Sequence, residues 1–257
     1  MLKKMLKKIA KKFFNKSSVI KREGDFYLKE YNGIKIYSHD LDCINKVFNQ
    51  VFNNHIYNFE TQNESPLIID AGSNIGLGVL YWKSKYPKSK IIAFEPSKLN
   101  FISLEKNVAE NKLEDVICIN KALSNENGVQ QFTTNEKISG SLVLGKNLDS
   151  KYNVETVKLG EFLKNKVDLL KIDIEGAEKL IYEDVSEHIN NVDNIFLEYH
   201  SFIDEGQYLS KYLRLFEDNH YRYFIEDGYK KKNHFVNNKV SLNQDMQLNI
   251  WAKKNGS

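Results

Sequence analysis

The 257 residues are 41% apolar and 28% charged, enough to bury a sizeable core as one α/β domain and unlike a disordered or fibrous chain. No run of about 18 apolar residues marks a membrane-spanning helix, and the two cysteines, Cys43 and Cys118, exclude a disulfide framework or a thiolate metal site and fit a reducing, cytoplasmic setting. The formal charge of +3 is uneven: seven lysines fall in residues 1–16, leaving 30 basic against 34 acidic side chains in the rest, so nucleic-acid binding by the body has little electrostatic support.

Residues 1–16 place Leu2, Met5, Leu6, Ile9, Phe13 and Phe14 on one side of a helix and lysines on the other. The lysines interrupt any apolar core long enough for a secretory signal. This basic amphipathic helix is expected to make peripheral contact with an anionic membrane surface on its inner, cytoplasmic face, each lysine adding about 1 kcal/mol, or to pack on the protein itself or a partner. Residues 17–65 form an N-terminal cap region. Strand-like pieces (Phe26 to Leu28, Ile34 to Tyr37) flank the turn Asn32-Gly33, a helix runs from about Cys43 to Phe52, and the polar stretch Thr61 to Ser65 with Pro66 marks the boundary before the main domain, 66–257.

Leu67, Ile68 and Ile69 read as a strand buried on both faces, with Asp70 at its carboxyl end. Gly72 and Gly76 then turn the chain into a helix whose apolar positions are Leu77, Val79, Leu80 and Trp82. The spacing departs from G-x-G-x-x-G, and Asn74 lies between the two glycines. A carboxylate at the loop entrance disfavours a pyrophosphate and suits a ligand with a cationic centre. S-adenosylmethionine (SAM) fits, with loop N–H groups taking its carboxylate. A second strand, Ile91 to Phe94, ends at Glu95-Pro96, where Glu95 is placed to accept both hydroxyls of an adenosine ribose, and Ser97 opens a helix to about Asn111. A third strand runs Val116 to Asn120, and the adenine is expected near its end. Residues 129–159 read as inserted β pieces around Ser139-Gly140-Ser141, either a polar loop facing the acceptor or an ordinary hairpin turn.

A fourth strand occupies Val167 to Glu175 and gives way to a helix at Gly176. Alternation puts Lys171, Asp173 and Glu175 on one face. A lysine inside a central strand needs a partner, Asp173 or Asp70. A fifth strand, Asn194 to Tyr199, carries Glu198 and His200. If these two strands are neighbours, Asp173, Glu175, Glu198 and His200 gather at the carboxyl edge of the sheet, where open α/β sheets bind ligands. A helix with Tyr208, Tyr212, Leu215 and Phe216 on one face, then Tyr221 to Ile225 and Met246 to Trp251 joined through Asp227 to Asn238, reads as a hairpin closing an otherwise parallel sheet.

Asp-Ala-Gly-Ser-Asn-Ile-Gly (70–76), Phe94-Glu95-Pro96, Lys-Ile-Asp-Ile-Glu-Gly-Ala-Glu (171–178) and Glu-x-His (198–200) together resemble the FkbM family of SAM-dependent O-methyltransferases over roughly residues 55 to 253. The resemblance implies a Rossmann-like class I methyltransferase sheet of seven strands, mostly parallel with the last antiparallel, and helices on both faces. It implies SAM contacts at Asp70, Gly72, Asn74, Gly76 and Glu95; we add Ser73 in the same loop and Asn120 at the third strand's end. It also implies transfer to a hydroxyl, often of a sugar in a glycan or natural product. Residues 129–159 match poorly, so acceptor identity does not carry over. The expected chemistry is in-line attack of an acceptor oxygen on the sulfonium methyl. His200 serves as base through its neutral imidazole, Asp173 orients the acceptor, Lys171 balances charge and Glu198 shares the edge. In a variant, Asp173, Glu198 and His200 bind Mg²⁺ or a similar ion. Two other readings are a non-catalytic SAM- or nucleotide-binding module tethered by the first helix, and a nicotinamide-dependent oxidoreductase. Ionisable groups beyond those SAM needs oppose the first; the missing glycine and Asp70 oppose the second.

Overall fold

The structure, a computed structural model, describes residues 20–134, 140–141, 150–228 and 244–256. The amphipathic helix expected over 1–16, the middle of the insertion and most of the Asp227 to Asn238 connection lie outside the described residues. No helix among the described residues is long and apolar enough to cross a membrane.

The cap opens with a three-stranded antiparallel sheet, β1 (Ile20–Glu23), β2 (Phe26–Tyr31) and β3 (Ile34–Ser38). Helix α1 (Leu41–Phe48) follows and continues as a π turn, Asn49–Asn53. It starts two residues before the expected Cys43 because the Asp40 side chain accepts from the amides of Asp42 (2.7 Å) and Cys43 (3.3 Å), capping the first turn.

The main sheet is built from β4 (Leu67–Ala71), β5 (Lys90–Phe94), β6 (Val116–Ile119), β11 (Val167–Ile172), β12 (Val192–Phe202), β13 (Tyr221–Asp227) and β14 (Gln244–Lys254), in the order β13-β14-β12-β11-β4-β5-β6. Pairs from β12 to β6 are parallel, and β14 runs antiparallel to both of its neighbours. The expected seven-stranded sheet with one antiparallel strand is therefore present. Strand order reverses between β4 and β11, which makes the crevice above them the topological switch point.

Helices α1, α2 (Leu77–Lys85) and α3 (Lys98–Glu110) cover one face, over Ile68, Leu169 and Phe196. Helices α4 (Tyr182–His188) and α5 (Leu209–Asp218) cover the other, over Ile69, Leu170 and Leu197. A second, small sheet joins β7 (Ala122–Ser124), β8 (Gly128–Thr134), β9 (Gly140–Ser141) and β10 (Ser150–Lys158), so it takes in residues ahead of the expected insertion.

Two asparagines of α3 fasten the cap to this scaffold. Asn107 accepts from the Tyr37 amide at 2.6 Å and donates to the carbonyls of Tyr37 (2.9 Å) and Ile75 (2.7 Å). Asn111, one turn further on, accepts from the Lys35 amide and donates to the Lys35 carbonyl. The open edge of β3 is thus paired with helix side chains instead of being left as a free sheet edge.

The turn after β4 crosses the end of β11 so closely that a Cβ on Gly72 would lie 1.8 Å from the Asp173 carbonyl oxygen, at a φ of +84°. Both the clash and the left-handed backbone oppose any side chain there. Gly72→Ala is expected to destabilise the protein by about 2–4 kcal/mol in urea unfolding, the sum of overpacking and backbone strain. A loss below about 1 kcal/mol would mean that the two loops have room to part.

Candidate active site

Asp70 and Lys171 are register partners on adjacent parallel strands. Lys171 Nζ lies 3.3 Å from Asp70 Oδ1 and 3.5 Å from Asp173 Oδ2, and donates to the carbonyls of Gly72 and Ala71. Burial alone would lower the lysine's pKa, but Asp70 and Asp173 hold it above the ordinary range, so it stays charged. Both anticipated partners are engaged at once. Asp70, 1% exposed, turns its carboxylate onto Lys171, so any attraction it exerts on a cationic ligand is shared with that ammonium.

The loop itself is tightly self-bonded. Gly72 and Ser73 amides donate to the Phe94 carbonyl (3.1 and 2.8 Å), Asn74 to Glu95 Oε2 (2.8 Å), Ile75 to Asn74 Oδ1 (2.7 Å) and Gly76 to the Ser73 carbonyl (2.8 Å). The Ser73 hydroxyl donates to the Asp70 carbonyl at 3.0 Å. Each of these amides has an internal acceptor, so a ligand carboxylate would have to share or replace one of them. The glycines also admit protein rather than ligand: Gly76, at φ +82°, faces Leu104 Cδ1, 2.5 Å from where its Cβ would be.

Glu95 is buried at the end of β5, with Oε1 accepting from the Ser97 amide at 2.8 Å, and burial pushes its pKa up to about 7. A carboxylate that takes one amide on each oxygen keeps lone pairs for two hydroxyls. Asn120 donates its side-chain N–H to the carbonyls of Glu95 (2.7 Å) and Pro96 (3.3 Å), so it braces this corner from behind.

β11 ends at Ile172, earlier than the alternation suggested, and Asp173 and Glu175 sit in the loop that leaves it. The Asp173 amide donates to the Ala71 carbonyl at 3.0 Å, and Glu175 adopts a left-handed φ of +54°. The chain then makes a 3₁₀ turn, Ala177–Leu180, in place of an immediate α-helix. Glu178, in that turn and buried, accepts from the Ile174 (3.3 Å) and Gly176 (3.1 Å) amides and meets His200 Nδ1 at 3.0 Å. His200 Nε2 lies 3.4 Å from Glu198 Oε1 and 3.6 Å from Glu175 Oε2. Gln247 donates to Glu198.

Burial alone would lower the His200 pKa, but Glu178, Glu198 and Glu175 raise it well above its ordinary value. Three carboxylates favour the protonated ring, which weighs against the expected neutral imidazole base. The metal-capable grouping also differs from the expected Asp173, Glu198 and His200. One ligand atom each from Asp173, Glu175 and His200 lie within 4.8 Å of one another, whereas Glu198 is bound up with Gln247 and His200. Glu178 escaped sequence reasoning as a site residue. Its only signal was its place three residues after Glu175 in the Glu-Gly-Ala-Glu run.

A doubly wound sheet with one antiparallel strand, a glycine turn at its switch point and an acidic edge beside it define the class I methyltransferase architecture. The methyltransferase FkbM domain matches residues 70–223. Methyltransferase sdnD of Sordaria araneosa is 31% identical over 189 residues, covering 59% of this chain and 73% of that protein. Methyltransferase 1 of Beauveria bassiana (strain ARSEF 2860) is 28% identical over 178 residues, covering 59% and 72%. Among solved structures, M. jannaschii TYW2 in complex with AdoMet aligns at a TM-score of 0.49 and 12% identity over 91% of this chain and 88% of that one. The FkbM methyltransferase of Methylobacillus flagellatus KT aligns at 0.45 and 13% over 75% and 45%. The chain belongs to the FkbM methyltransferase family. It is a SAM-dependent methyltransferase.

Burial holds the pKa of Glu95, beside the loop, at about 7. If Glu95 holds the ribose as expected, its ionised form accepts both hydroxyls and its protonated form fewer, so SAM binding is expected to tighten as pH rises from 6 to 8 through about 7. Glu95→Gln is expected to weaken SAM about tenfold at pH 8 and flatten that dependence in calorimetric titration. An unaltered slope would remove Glu95 from the ribose.

Proposed function

We propose that the enzyme transfers the methyl group of SAM to a hydroxyl of a small-molecule or glycan acceptor, with a sugar hydroxyl as the leading candidate. The observation that carries this reading is the pair of carboxylates at the edge of β11. Asp173 and Glu175 side chains are 22% and 37% exposed, open to a reactant, while the cations around them are engaged with protein acceptors. A hydroxyl is a poor nucleophile until its proton has somewhere to go, and a carboxylate at the open edge provides the place. A thiolate acceptor would need no such arrangement.

In this reading SAM lies across the carboxyl ends of β4, β5 and β6, with Gly72 to Gly76 shaping its bed and Glu95 on its ribose. Asp173, anchored by Lys171, orients the acceptor. Glu175 receives the proton, and His200 serves as a charge partner that steadies the acidic edge. Most of the acceleration comes from alignment of oxygen, methyl and sulfur. Glu175→Gln is expected to lower kcat about 10²- to 10⁴-fold with SAM affinity intact. The test is a methyl-transfer screen over sugars, nucleotide sugars and lipid-linked glycans, read by product mass and methyl position. Methylation on nitrogen or carbon, or undiminished turnover by the variant, would overturn the assignment.

The grouping of Asp173, Glu175 and His200 within 4.8 Å supports a second reading, in which Mg²⁺ or a related cation polarises the acceptor hydroxyl. Dialysis against a chelator separates the two. Loss of turnover restored by Mg²⁺ alone supports the metal, and full activity after chelation retires it.

A further inference from the structure

Both tryptophans of the chain donate their indole N–H to consecutive carbonyls of the cap. Trp82 on α2 donates to the Tyr57 carbonyl at 3.0 Å, and Trp251 on β14 donates to that of Ile56 at 2.7 Å. Tyr57 is thereby fixed to a helix on one side and a strand on the other. Its ring stands edge-on to Phe196 at 4.9 Å, leans on Trp82 at 5.7 Å, and has Lys171 Nζ 5.6 Å from its centroid. The side chain is 8% exposed. The ring thus lies beside the ion cluster of Lys171, Asp70 and Asp173, whose charges, with that of Glu198, act on its hydroxyl. No hydrogen bond ties this hydroxyl to another described residue.

The last point sets Tyr57 apart from the other donors of the cluster. Lys171 has three protons and four acceptors: Asp70, Asp173 and the carbonyls of Ala71 and Gly72. His200 faces Glu178 with one nitrogen and Glu198 and Glu175 with the other. Gln247 is spent on Glu198. A hydroxyl with no partner among the described residues is free to donate to a reactant that supplies the acceptor.

We propose that Tyr57 Oη donates a hydrogen bond to the acceptor oxygen and is a catalytic residue of the transfer. This rests on the hydroxyl-methylation reading above. The acceptor oxygen has two lone pairs: one takes the Tyr57 proton and the other faces the methyl. As the O–CH₃ bond forms and the S–CH₃ bond breaks, the electron pair of the broken bond stays on sulfur, leaving neutral S-adenosylhomocysteine, and the acceptor's own proton passes to Glu175. A neutral phenol suits the task, since a cationic donor at the nucleophile would hold back the electron density that must reach the methyl. The rigidity of the mount matters equally, because alignment is the main source of rate.

Tyr57→Phe removes one oxygen and keeps the ring packing. With the best hydroxyl acceptor of the screen, the variant is expected to lose about 10- to 100-fold in kcat/KM for that acceptor, the scale of one hydrogen bond to a reacting group. Its calorimetric affinity for SAM and its melting temperature are expected to match the wild type. Unchanged kcat/KM would overturn the proposal, and so would a parallel loss of SAM affinity, which would assign the hydroxyl to the cofactor. Failure of the underlying reading appears elsewhere, as wild-type enzyme giving no O-methyl product, and so is distinct from an indifferent variant.

Discussion

The Lys171 ammonium, buried between Asp70 and Asp173, is the constraint on which the rest of the site depends. A charge inside a central strand is stable only while its anions and carbonyls remain in place, and removing one partner from such a pair costs about 3–5 kcal/mol. Lys171 meets this need by drawing two loops together. It binds the carbonyls of Ala71 and Gly72 on one strand end, and its Asp173 contact is completed by the Asp173 amide returning to the Ala71 carbonyl. The crossing is then so close that position 72 has no space for a Cβ. Register, loop path and residue identity at the switch point all follow from one ion cluster.

The same cluster leaves the edge of the sheet rich in negative charge. Asp70, Asp173, Glu175, Glu178 and Glu198 face two cations, Lys171 and His200. Such a field favours a cationic cofactor over its neutral demethylated product. The sulfonium charge disappears as the methyl leaves, however, so the field stabilises the start of the reaction more than its transition state. Electrostatic attraction therefore serves binding, and the rate must come from geometry. That division explains why the surroundings of the edge are so rigidly built, with Glu178 bonding two amides of the turn as well as His200.

Much of this was legible in the chain. Short apolar runs at 67–69, 91–94 and 167–172 gave the parallel strands, and a lysine within one of them announced its need for Asp70 or Asp173. The gathering of Asp173, Glu175, Glu198 and His200 followed from two strands being neighbours, which β11 and β12 are. What was not legible depended on contacts that spacing does not encode. Spacing alone does not show that the room a Cβ would need at Gly72 and Gly76 is taken by Asp173 and Leu104. The environment of His200 depends on Glu178 as well as on Glu198 and Glu175, and a 3₁₀ turn brings Glu178 to it. Tyr57 lay in a stretch without periodicity, and the bonds that mount it reach 25 and 195 residues along the sequence.

The cap belongs to the site as firmly as the strands do. Asn107 joins β3 to the Ile75 carbonyl in the cofactor loop, the Cys43 thiol of α1 donates to Asn74 Oδ1 at 3.3 Å, and the segment at Ile56 and Tyr57 is bonded to both α2 and β14. A cover held at so many points does not need to close in order to order its side chains. The sheet supplies the acidic edge, and the cap supplies Tyr57, whose ring lies beside Lys171. If Tyr57 and the Asp173–Glu175 loop meet the same acceptor, as proposed, an alcohol would complement both, because it can accept from a phenol and donate to a carboxylate.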